Sequence, residues 1–401
     1  MPPPHVDLII TAMPRKKIAA IVTTYFPGSH ADHLVTKFVK GFPTPDGVVE
    51  PEVDIVSMYM DQLHPLDVGL DLAREHGIEI FPSIRSALTL KQPSMGHWPT
   101  AADWEVGEFA VDGVIIIGEH GDYSPNERGR QMYPRRHFFE QVCGMIGLSG
   151  RAVPVFTDKH LAYNWTDAKW MYDRAQELKI PMMGGSSLPV TGRAPHLEHE
   201  LGASIDEALS LGHFNTYPNG LDSYGFHGLE GLQCMVERRS GGETGIAAVQ
   251  CFEGKAVWDA AARGLWPRDL ADAVVSRIEN VDEGRMEDSC INPVVFMLEY
   301  ADGFRATTLM LDRHLKGFGY AARVGGEIVS TAFGTASSDN TLNEPFSAQG
   351  LAIQKMFLTG EPQQPIERSL LTTGAHAALM DSRYLGGTRI ETPWLDVRYG
   401  A

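Results

Sequence analysis

Three short runs of the 401-residue chain carry side chains able to move a proton or hold an oxygen. GEHGDY supplies Glu119, His120 and Asp122; TDKH supplies Asp158, Lys159 and His160; DSYGFHGLE supplies Asp222, Ser223, His227 and Glu230. An imidazole exchanges protons near neutral pH, so His227 is a candidate acid or base. The plainer reading of its run is a tight turn with a capping histidine at a helix entry. The Lys159 ammonium can stabilise negative charge developing on a hydroxyl or carbonyl oxygen; read alone, it is a solvated surface lysine. Glu119, His120 and Asp122 together, at the end of a buried strand, point to a site.

A fourth run, IVTTYFPGSH, stands where a dinucleotide's pyrophosphate would need a bare turn and a helix N-terminus. In the Gly-x-Gly-x-x-Gly register Thr23 and Tyr25 take the first two glycine positions, and Gly28 alone remains. Tyr25 would set a ring in the path of the pyrophosphate. The other reading is a strand–helix turn that binds nothing. Asp61 follows the second strand run, either to bond a ribose hydroxyl or as an exposed loop aspartate.

The elements that must position these groups alternate. KIAAIV, VDIVSMYM, IEIF, VDGVIIIG, AVPVFT and IPMMGG read as strands, and the stretches between several of them have helical spacing, as in RRHFFEQVCGMIGLSG and TDAKWMYDRAQELK. KQPSMGHWPTAADWEVGE reads as an insertion or surface loop. Alternation from Lys17 to Gly185 predicts a Rossmann-type α/β domain, a doubly wound parallel sheet, over residues 17–190. Its ligand edge lies at the strands' C-terminal ends. Beyond it GIAAVQCF, VVFMLEY, ATTLML and AARVGGEIVSTAF, with an Asp302-Gly303 turn, predict a C-terminal α+β domain over residues 191–401, built on a mainly antiparallel sheet. Residues 1–16 read as a disordered leader. Basic residues there follow the apolar patch, the wrong order for a secretory signal, so cytoplasm is the default location.

Composition bounds the partners. With 43% hydrophobic and 21% charged residues the chain is globular, and its length suits two domains. A net charge of −17 repels phosphate backbones and anionic lipid, which argues against nucleic acid and membrane surfaces. No apolar run approaches the ~20 residues of a membrane span. Cys143, Cys234, Cys251 and Cys290 are scattered and read as plain buried thiols.

The runs around Lys159 and His227, in this order, resemble the glucose–fructose oxidoreductase and inositol dehydrogenase family. Lys159 falls on that family's catalytic lysine, Asp158 on its glutamate and His160 on its proline. Gly225, His227 and Glu230 fit its second motif, while Ser223 stands where the family has an aspartate. FMLEYADGFRATTLML and the helical runs near the C-terminus extend the likeness to roughly Lys17–Pro393. The resemblance implies a large open sheet in the second domain, used for homo-oligomerisation. It also implies NAD or NADP as cofactor and a sugar, polyol or glycoside as substrate. His227 would then take the hydroxyl proton and Lys159 would hold the same oxygen, with Asp158, His160, Ser223 and His120 in support and Thr23, Gly28, Asp61 and Glu119 toward the cofactor. Two further readings stay open. One is a non-redox isomerase, epimerase or lyase, using the histidines or a divalent metal on Glu119, His120, His160 and His227. The other is a sugar-sensing regulatory protein without catalysis.

Overall fold

The computed structural model describes residues 14–92, 108–215, 220–334 and 344–400. Most of the leader and most of the KQPSMGHWPTAADWEVGE run lie outside them. The first half runs β1 (Lys16–Val22), α1 (His30–Lys40), a small hairpin of β2 (Phe42–Thr44) and β3 (Gly47–Val49), β4 (Val53–Met60) and α2 (Gly69–His76). It continues through β5 (Glu79–Ile80), α3 (Ile84–Thr89), β6 (Gly113–Ile117), α4 (Arg135–Ser149), β7 (Val155–Asp158), α5 (Trp165–Glu177) and β8 (Met182–Gly185). Six of these strands form a parallel sheet in the order β5-β4-β1-β6-β7-β8. The β-branched run of β6 is buried at every position, as a strand covered by helices on both faces requires. Each such side chain removed from water contributes roughly 1.5–3 kcal/mol.

The second half begins with β9 (Arg193–Ala194), β10 (Ile205–His213), α6 (Gly220–Val236), β11 (Ile246–Glu253), α7 (Lys255–Ala262), α8 (Arg268–Val275) and α9 (Met286–Ser289). Then come β12 (Val294–Tyr300), β13 (Arg305–Leu311), β14 (Phe318–Val324), β15 (Glu327–Phe333), α10 (Glu344–Thr359), α11 (Ile366–Tyr384) and β16 (Ile390–Glu391). Eight strands pair in the order β16-β11-β12-β13-β10-β14-β15-β9. All neighbours are antiparallel except β10 and β13. Helices α6 and α11 pack on one face. The sheet is not closed into a barrel, yet its other face is not bare: Leu209, Leu211, Val295 and Leu309 are buried beneath Val257, Leu270 and Val274 of α7 and α8.

One close contact seats α6 on its own sheet, and one helix ties the second half to the first. Helix α6 lies close on its sheet because Gly228 has no side chain; a Cβ there would stand 2.7 Å from the Thr308 methyl. Helix α10 returns to the first sheet, where Ile353, Met356 and Phe357 join the core of β1, β4 and α1. The DSYGFHGLE run is not a turn before a helix. It forms the first three turns of α6 itself, so Ser223 and His227, four apart, share one face.

Candidate active site

In the parallel sheet the strand order reverses between β1 and β6, and a ligand crevice opens outside the C-terminal ends of strands at such a point. A cavity of about 480 Å³ lies there, lined in part by Thr24, Phe26, His64, Glu119, His120 and Ser223. Strand ends from the first half form one wall, and the start of α6 forms the other.

Lys159, at the end of β7, is fully buried. Its Nζ donates to Glu119 Oε1 (2.8 Å) and to Ser223 Oγ (2.8 Å), and Ser223 Oγ donates to the same carboxylate oxygen (2.9 Å). Arg135 of α4 donates to the other oxygen, Glu119 Oε2. Arg135 reaches it by lying against Gly118, where a Cβ would stand 2.5 Å from its Cγ. Burial works to raise the Glu119 carboxyl, but Lys159 and then Arg135 overcome it and hold the group well below the usual carboxylate range. The expected aspartate partner of the lysine is thus absent at Ser223, and a carboxylate from β6 takes its place. Both oxygens of Glu119 are committed to this junction, so it faces the lysine and not a nucleotide. An ammonium has three donors, and two of Lys159's are used within this junction.

Imidazoles surround this junction. His120 follows Glu119 in a left-handed conformation (φ 68°), and its buried Nε2 has no hydrogen-bond partner. Burial pushes its pKa down to about 4, with His30 adding to the effect. His227 likewise leaves a buried Nδ1 without a partner. Burial and then the Lys159 ammonium hold it well below the usual histidine range. Two neutral rings with orphan nitrogens suit a ligand rich in hydroxyls. His30, the first residue of α1, packs edge-on to His120 (ring centroids 5.3 Å) and donates from Nδ1 to Asp158 Oδ2 at 2.7 Å.

His160 points deeper. Its peptide with Lys159 is cis, and its Nε2 donates to the Asp222 carbonyl at 2.8 Å. The metal set Glu119, His120, His160 and His227 does not form. Among the described residues, the group that comes together is His160, Asp222 and His376. A dication is opposed there as well. Arg130 donates to Asp222 Oδ1 (3.3 Å), the Gln131 amide donates to Oδ2 (2.9 Å), and Arg135 faces His160 Nδ1 (3.4 Å). The guanidiniums already compensate the one carboxylate.

The phosphate-loop residues clear the cleft. Thr23 donates inward to the Glu119 carbonyl (2.6 Å). Tyr25 is fully buried with its hydroxyl on Thr36 (2.7 Å), so the expected obstruction by its ring is not there. Gly28 adopts φ 81°, with open space where a Cβ would be. Ser29 caps α1 by accepting from the Asp32 amide (3.2 Å), and Asp32 accepts from the Gly28 amide (2.9 Å). That leaves the amide of His30, the first of the helix, without an intrahelical partner, while Ala31 behind it is fully buried. Asp61 is exposed at the end of β4, where it accepts from Tyr59 and Tyr123 (2.7 Å each). With the clear path, the His30 amide at the start of α1 and the orphan nitrogens, the residues present fit a dinucleotide.

Sequence reasoning missed His30, Arg135 and His376. His30 was available as a histidine opening a helix at the ligand edge, but the loop was read only for its glycines.

No family model and no curated protein matches the chain. Solved structures do match it over nearly the whole length. A protein of gentamicin A biosynthesis, crystallised with NAD, has a TM-score of 0.58 at 12% identity, covering 95% of this chain and 97% of its own. Myo-inositol 2-dehydrogenase from Lactobacillus plantarum gives 0.54 at 11% identity, covering 94% and 99%. Myo-inositol dehydrogenase from Lactobacillus casei, in complex with NAD(H) and myo-inositol, gives 0.55 at 10% identity, covering 94% and 96%. The chain therefore has the two-domain fold of the inositol dehydrogenases, as the resemblance implied.

Proposed function

We propose that the chain is an oxidoreductase that oxidises a hydroxyl of a sugar, polyol or glycoside with NAD or NADP. The observation that carries this reading is the junction at the cleft floor. Lys159 from the nucleotide-type half and Ser223, one helical turn before His227, from the other half meet at 2.8 Å. The structural neighbours crystallised with NAD or with myo-inositol support it. Gly28, the His30 amide and Asp61 are the residues that would hold a dinucleotide, and a bound nicotinamide supplies the acceptor for the carbinol hydride. Lys159 holds the reacting oxygen through its remaining N–H and favours the oxygen's developing negative charge. Ser223 and Glu119 fix the ammonium so that little reorganisation accompanies the reaction. The neutral His120 and His227 take hydrogen bonds to neighbouring hydroxyls.

The chain also self-associates in this reading, through the C-terminal half. Since α7–α9 cover the sheet's far face, the contact falls on the outer surfaces of those helices, near exposed Leu265 and Ile291. No helix among the described residues is long and apolar enough to cross a membrane, and the reading places the protein in the cytoplasm.

The test is a panel of inositols, aldoses and sugar acids offered with NAD or NADP, read by the absorbance of reduced nicotinamide. At least one polyol should be oxidised, and Lys159→Met should lose about a hundredfold or more in kcat. Failure to bind or reduce either nucleotide across the panel rejects the oxidoreductase reading.

A further inference from the structure

We propose that His30, oriented by Asp158, is the proton acceptor of this cleft, in place of His227. The inference rests on the reading of the cleft as a catalytic site, and it moves the proton to a residue that no motif marks.

The geometry is that of an imidazole steered by a carboxylate. His30 Nδ1 donates to Asp158 Oδ2 at 2.7 Å, which fixes the tautomer and leaves the lone pair on Nε2. Nε2 has no hydrogen-bond partner among the described residues, and the His30 side chain is 14% exposed whereas that of Asp158 is 2% exposed. The carboxylate is therefore hidden behind the ring, and the ring is the accessible member. Among the described residues, titratable groups act on His30 from several elements. Asp158 faces it from β7, Glu119 and His120 from the end of β6, His227 from α6 and His33 from its own helix. The Phe346 ring, at the start of α10, meets it edge-on at 5.3 Å.

A proton taken up by His227 would create an imidazolium in a dry pocket beside the Lys159 ammonium, with no carboxylate bonded to it. His120 is no better placed, since its nearest carboxylate, Glu119, is already shared by Lys159, Ser223 and Arg135. A proton taken up by His30 Nε2 gives an imidazolium bonded to Asp158. The same strand end thus supplies the lysine that holds the oxygen and the carboxylate that balances the charged base. In the step itself the substrate O–H bond breaks and its proton bonds to His30 Nε2. The Nδ1 proton stays on the ring. The hydrogen and electron pair lost from carbon belong to the nicotinamide dinucleotide of the proposed reaction.

Two readouts on the full chain test this. Side-chain nitrogen NMR with labelled histidines, at about pH 8, needs neither polyol nor nucleotide. It should show the His30 ring proton on Nδ1 with the lone pair on Nε2, and Asp158→Asn should shift that balance toward Nε2–H. A His30 proton held on Nε2, or a His30 ring unmoved by Asp158→Asn, overturns the proposal. For turnover, the polyol oxidised in the panel is the substrate. His30→Ala should lower kcat about a hundredfold or more with KM nearly kept, and imidazole in the buffer should restore part of the rate. A wild-type kcat in His30→Ala overturns it equally. If no polyol is oxidised, the functional reading fails, and the ring tautomer still decides the role of His30.

Discussion

At the scale of single residues, the cleft is built on a buried charge cluster that no one motif contains. Lys159, Glu119, Arg135 and Ser223 come from β7, the end of β6, α4 and α6, and their hydrogen bonds close on one carboxylate. Removing one partner leaves a buried charge short of its compensation. Lys159→Met is therefore expected to cost about 3 kcal/mol of stability as well as turnover. In a double-mutant cycle measured by urea unfolding, Glu119→Gln added to Lys159→Met should cost less than the sum of the two single changes; strict additivity would separate the two side chains energetically. Lys159 and His227 stand out in the sequence because their neighbours carry a recognisable order of residue types. Glu119 was legible as a residue but not in its role, since its partners lie 16, 40 and 104 positions away in the chain. His30 was hidden by a loop that invites attention to missing glycines, and its partner Asp158 lies 128 positions on.

At the scale of elements, two local devices shape the cleft. Gly118 gives Arg135 a path to Glu119, so Gly118→Ala should push that side chain off its carboxylate and cost about 1–3 kcal/mol, measured by thermal unfolding. An unchanged melting temperature would mean Arg135 has another route. Ser29 closes the N-terminus of α1 just before His30, and Ser29→Ala should cost about 1 kcal/mol, read by the same measurement. The strands of the first sheet were legible because β-branched runs such as that of β6 leave little alternative. Helix α6 was misplaced because Gly220, Gly225, Gly228 and Gly231 are poor helix formers, and the first half of the helix reads as a turn. Contact with the sheet overrides that propensity. Strand β10 was missed for a related reason: IDEALSLGH mixes acidic and small residues, and its pairing with β13 and β14 supplies what its local pattern lacks.

At the scale of the whole molecule, histidine burial sets the response to acid. Seven histidines (33, 120, 160, 199, 213, 227 and 376) are held below their ordinary pKa, first of all by burial. Such a group stays neutral in the fold while the unfolded chain takes up a proton near its ordinary value. Stability is then full above that value and is lost as pH falls toward the depressed one. For His120 the window runs from 6.5 to about 4 and corresponds to a loss of about 3 kcal/mol. Urea unfolding at neutral pH and at about pH 5 should therefore show a marked drop in stability before most carboxylates titrate; a flat profile would mean that these rings reach solvent. The overall architecture was legible as a parallel sheet followed by a mainly antiparallel one, whereas the cover of α7–α9 over the second sheet was not, because amphipathic helices do not declare which face of which sheet they will bury. The central claim is that a lysine from one half and imidazoles from both halves converge on one ligand. A crystal structure grown with NAD(H) and myo-inositol tests it most directly. The account predicts density in the cleft beside Phe26 and His120, with one ligand oxygen within hydrogen-bond distance of Lys159 Nζ. An empty cleft, or a ligand seated away from Lys159 with that lysine still turned wholly to Glu119 and Ser223, would contradict it.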